Sequence, residues 1–77
     1  MTTSDEVVKR ARALASNPDV DVELAAGDLL EAVRADEAVL NTAREQLTAQ
    51  TRSGEDDVAR RALAIVTAAA DVGYGGE

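Results

Sequence analysis

The side chains here that could do chemistry are almost all carboxylates: fifteen Asp and Glu stand against seven Arg and one Lys, with no His and no Cys. Asp19, Asp21 and Glu23 alternate like the first ligands of a calcium loop. The loop then fails, because its sixth position, which needs Gly for a sharp turn, is Leu24, and its twelfth, which needs a bidentate Glu, is Leu30. These acids suit helix capping better. Asp28 with Glu31, or Asp56 with Asp57, could form an acid–base pair or a di-metal centre. Bundle di-iron sites, however, draw on Glu-x-x-His pairs, and there is no His. No Ser or Lys nucleophile has a histidine base, Lys9 belongs to an exposed helix turn, and the glycines stand singly or in the tail, so no phosphate loop forms. The expected set of catalytic, cofactor-binding and metal-binding residues is therefore empty, and the chain reads as a non-enzyme.

Composition narrows the classes further. The formal charge of −7 repels phosphate backbones and anionic lipid, so neither nucleic acid nor membrane is an expected direct partner. Thr2-Thr3-Ser4-Asp5-Glu6 is polar and acidic, unlike a signal peptide. The longest apolar stretch, Ala62 to Ala70, falls far short of the ~20 residues that span a bilayer. A cytoplasmic protein is expected, or a virion component if the source is viral. The Arg-rich, Lys-poor, acidic balance fits a high-GC genome or a salt-adapted proteome.

The elements that carry these carboxylates are helices. Thr3 with Glu6 makes a capping-box pair, and Val7, Ala11 and Leu14 line one face until Asn17-Pro18 stops the first helix. A second helix begins near Asp21, with the stripe Val22, Ala26, Leu29, Val33, Asp36, Leu40, Ala43, Leu47. Read as one element, this is a helix of about 31 residues and about 46 Å. Beyond Ser53-Gly54, a third helix carries two adjacent stripes, Val58, Ala62, Ile65, Ala69, Val72 and Ala59, Leu63, Val66, Ala70. Its broad apolar face should make it the most buried element. Gly73 is placed to end it, leaving 73–77 as a flexible tail on a single domain of 1–77.

The architecture expected is all-α: a small antiparallel bundle, or helical hairpins, around one long middle helix. Asp36 interrupts the long stripe, and its readings are a tuned acid, a polar residue fixing register between helices, or a cap at a helix break. Ala35, Glu37 and Ala38 favour helix, so a continuous or kinked middle helix is the preferred reading. That gives three helices in a layer two helices thick, which needs cover from a partner. A break near Asp36 would instead permit four helices in a compact arrangement.

Of 35 apolar residues, 16 are Ala and nine are Val, so each helix packs closely but buries little area. Length, acidity and scarcity of aromatics resemble an acyl carrier protein. The serine of that family's Asp-Ser-Leu motif has no counterpart, since the nearest segments are Asp36-Glu37-Ala38 and Asp28-Leu29-Leu30. Gly75-Gly76-Glu77 resembles the tail of the prokaryotic ubiquitin-like modifier, which would imply conjugation to lysines through the terminal Glu.

The function expected is a protein–protein interaction or assembly module that oligomerises or docks on a larger protein. Leu29, Val33, Leu40 and Leu47 on the middle helix, with Val58, Leu63, Ile65 and Val66 on the third, form the expected partner face. Leu63→Asp or Ile65→Asp would then abolish assembly or folding. The alternatives from other classes are a connector or capsid-associated virus component, an acidic decoy of a nucleic-acid-binding surface, and the Gly-Gly-Glu modifier.

Overall fold

A computed structural model describes residues 3–33, 36–52, 54 and 57–72. Among them the chain is all-helical, with four helices: α1 (Ser4–Ala15), α2 (Val22–Ala32), α3 (Glu37–Arg52) and α4 (Asp57–Ala70). The helices pack against one another within an envelope of 32 × 23 × 23 Å. Among the described residues no helix is long and apolar enough to cross a membrane.

Local chemistry sets the first boundaries where the sequence places them. Thr3 is extended and its side-chain oxygen accepts from the Glu6 N–H at 3.3 Å, with Asp5 and Glu6 at the positive end of the α1 dipole. At the other end, Ser16 Oγ donates to the Ala13 carbonyl at 2.7 Å. Pro18 then forbids continuation, and the Val20 N–H closes a turn on the Asn17 carbonyl at 3.1 Å. Asp21 caps α2, accepting from the N–H groups of Glu23 at 3.0 Å and Leu24 at 3.4 Å.

The unbroken middle helix does not form. Val33 is extended (φ −124°, ψ 122°) and closes α2 by donating its N–H to the Leu29 carbonyl at 2.9 Å. The chain re-enters helix at Glu37. Packing decides this against local propensity. Breaking the long helix lets Leu29 and Val33 on one side, and Leu40 and Leu47 on the other, enter the same interior. All four are buried, three of them fully. The reading of one long middle helix is corrected by the same observation.

α4 packs on all three other helices, as its two stripes require. Its fully buried residues, Ala59, Ala62, Ile65, Val66 and Ala69, run down the line where those stripes meet, and Val58, Leu63 and Ala70 sit half-buried at the edges. Val72, counted with the stripe, lies past the last turn and is 72% exposed. α2 packs on α4 and α1 and barely touches α3. On α1 the buried line is Val7, Val8, Ala11 and Ala15, so Leu14 is turned partly outward.

Half of the sixteen buried apolar residues among those described are alanines. They let helix backbones approach closely, while Leu29, Leu40, Leu47 and Ile65 supply most of the large buried volume. Polar contacts tie the helices together at the margins. Arg61 Nε on α4 donates to the Ala15 carbonyl at 2.8 Å, satisfying a terminal carbonyl of α1. Arg12 Nη1 donates to Gln50 Oε1 at 2.7 Å, joining α1 to α3. No buried side-chain polar atom among the described residues lacks a partner.

Candidate protein-binding surface

The fold disperses the carboxylates across helix ends and outer faces. Among the described residues no group of three His, Cys, Asp or Glu is placed to hold a metal ion. Asp21 serves as a cap, and Asp19 donates its N–H to Asn17 Oδ1 at 3.0 Å in the turn before it. Asp28 and Glu31 are exposed on α2, while Asp56 lies outside the described residues.

Asp36 is likewise exposed, and its role is local. Its Oδ1 accepts from the Val39 N–H at 2.9 Å, and its carbonyl accepts from Leu40 N–H at 3.1 Å, which together begin α3. It is therefore a helix cap at the break and not a buried register residue. Asp36→Ala is expected to cost about 1 kcal/mol, lowering the Tm in a thermal circular-dichroism melt by roughly 4–8 °C. An unchanged or raised Tm would contradict the capping role.

The residues expected to face a partner mostly face inward. Leu29, Leu40, Leu47, Ile65 and Val66 are fully buried and Val33 nearly so. They form the chain's own interior, because the break at Val33 folds the two halves of the long stripe onto one core. Val58 and Leu63 are half-buried and packed against it. The Gly73 cap and the Gly75-Gly76-Glu77 tail lie outside the described residues.

Two large apolar side chains among the described residues are left outside, Val72 past the last turn of α4 and Leu24, 69% exposed on α2. Its phase was the available signal: it falls out of step with Val22, Ala26 and Leu29, so a helix that buries that stripe must turn Leu24 to solvent. One and two turns further along the same face come Asp28 and Glu31.

Between α1 and α2 runs a groove. One part, about 420 Å³, is lined by Glu6, Lys9, Arg10, Ala13, Ala32 and Val33. The next, about 410 Å³, is lined by Arg10, Leu14, Asp28, Glu31 and Ala32, so Arg10 and Ala32 join the two. Its walls differ in sign. The α1 side carries Lys9 and Arg10 with one acid, Glu6, whereas the α2 side carries Asp28 and Glu31 and no base. A smaller hollow on α3, lined by Arg44, Glu45, Thr48, Ala49 and Arg52, is only the space between neighbouring side chains of one helix.

Fold and surface define a small, acidic protein, all-helical among its described residues, with a buried core shared by its helices and a charged groove between the first two. The chain matches no family model, no curated protein and no solved structure.

Proposed function

We propose that this chain is a non-enzymatic protein-interaction module, a small antiparallel helical bundle that presents the outer face of α1 and α2 to protein. The carrying observation is Leu24, a large apolar side chain 69% exposed, in line with Asp28 and Glu31 beside the α1–α2 groove. An apolar anchor rimmed by charge has the anatomy of a protein contact. The net charge of −7 disfavours phosphate-bearing partners and keeps the unit soluble. With Leu29, Leu40, Leu47, Ile65 and Val66 buried within the chain, association on this reading uses the outer face and not these residues.

The test is site-specific crosslinking in the source cells. A photo-reactive leucine analogue at position 24 should give higher-mass adducts several-fold above the same probe at Glu45, an exposed position on α3. Equal yields at the two positions would overturn the reading.

A further inference from the structure

The α1–α2 groove carries opposite charge on its two walls, and that arrangement selects what can lie across it. A uniformly basic partner suits the Asp28 and Glu31 wall but meets Lys9 and Arg10 on the other; a uniformly acidic partner meets the reverse conflict. The best complement is a surface bearing the same two stripes exchanged. A second copy of this chain, turned by a two-fold axis along the groove, presents that surface.

Resting on the interaction-module reading, we infer that the α1–α2 face is the contact between two copies of this chain. Lys9 and Arg10 of each copy meet Asp28 and Glu31 of the other, with Leu24 and Leu14 between them. The charge distribution supports this occupant over others. Two copies at −7 repel over most of their surfaces, but on this face Lys9 and Arg10 against Glu6, Asp28 and Glu31 sum to +2 − 3 = −1. The dimer therefore forms where opposite charges can be paired and the net charge of the face is small. Lys9, Arg10, Asp28 and Glu31 are all exposed, so they are available to a second copy. The demand on area is moderate: a stable interface takes about 800 Å² per partner, roughly a sixth of the 4784 Å² surface.

The experiment uses the full chain and reads molar mass by light scattering from low micromolar to millimolar concentration, with helicity recorded alongside. The expected result is a rise from 8.0 kDa to twice that mass, weakening as salt is added. Arg10→Glu and Glu31→Arg both change exposed residues and should keep the helicity, yet each alone should raise the dimer Kd about tenfold or more. The decisive arm mixes the two single variants. Across a two-fold axis the carboxylate introduced at position 10 of one copy then faces the guanidinium introduced at position 31 of the other. At the symmetry-related contact, the native Glu31 of the first copy faces the native Arg10 of the second. A mixed dimer should reappear near the wild-type Kd, and the double variant R10E/E31R should dimerise alone. An 8.0 kDa species throughout, a dimer indifferent to both reversals, or a mixture no tighter than its components would each overturn the inference. If the chain is monomeric while position 24 still crosslinks to a different protein, the second-copy inference fails and the interaction module stands.

Discussion

Ile65→Asp is expected to unfold the domain. Ile65 is fully buried on α4, the helix that touches every other one. The substitution removes an aliphatic side chain whose burial contributes about 1.5–3 kcal/mol. It also places a carboxylate where no buried polar or charged residue exists among those described. Burying an unpaired polar group adds several kcal/mol more, whether the group stays charged or takes a proton. A domain of 77 residues has roughly 4–12 kcal/mol of stability in total. The sum approaches or exceeds that reserve, so far-ultraviolet circular dichroism at 25 °C should show mostly unfolded chain. Leu63→Asp should be much milder, because Leu63 is half-buried and a carboxylate there can reach water. A cooperative melt for Ile65→Asp near the wild-type Tm would show that the interior assigned to α4 is wrong.

Leu29→Ala against Leu24→Ala makes the second test, on one helix and with one chemical change. Leu29 is fully buried, so its truncation leaves a cavity among neighbours that relax only partly. A loss of about 2–5 kcal/mol is expected, read from chemical denaturation at unchanged m-value. Leu24 is 69% exposed, and its truncation should alter stability by less than about 0.5 kcal/mol. It should instead weaken association. The two leucines thus separate folding from function. Comparable losses at both positions would mean that α2 is rotated from the orientation described.

Several features were legible in the sequence because they depend on neighbours a few residues away. The capping of α1 by Thr3, the stop at Asn17-Pro18 and the capping of α2 by Asp21 are satisfied by hydrogen bonds spanning two or three residues. The broad face of α4 follows from two adjacent stripes and needs no knowledge of what covers it. Even Leu24 was marked, by standing out of phase with the stripe that buries α2.

The middle of the chain was a different problem. Ala35, Glu37 and Ala38 speak for helix, and the stripe from Val22 to Leu47 holds its period through the break. Nothing local separates a long amphipathic helix from two short ones whose apolar faces point the same way. The same ambiguity carried over to function, since Leu29, Val33, Leu40 and Leu47 read as a partner face on a long helix and as core on a broken one. The groove was hidden too. Lys9 and Arg10 are remote in sequence from Asp28 and Glu31, and only the folding of α2 against α1 sets them across from one another.

By itself, the sequence determined an all-helical, acidic chain, its first helix boundaries, and which side of each helix is apolar, because caps, proline and 3.6-residue periodicity act over one or two turns. Tertiary structure alone decided that the long stripe folds onto itself, that Asp36 caps instead of joining a seam, and that opposite charges face each other across α1 and α2. Those outcomes depend on whether separate helices can share one interior, and burying Leu29, Leu40, Leu47 and Ile65 together outweighs the helical preference of the few residues where the chain turns.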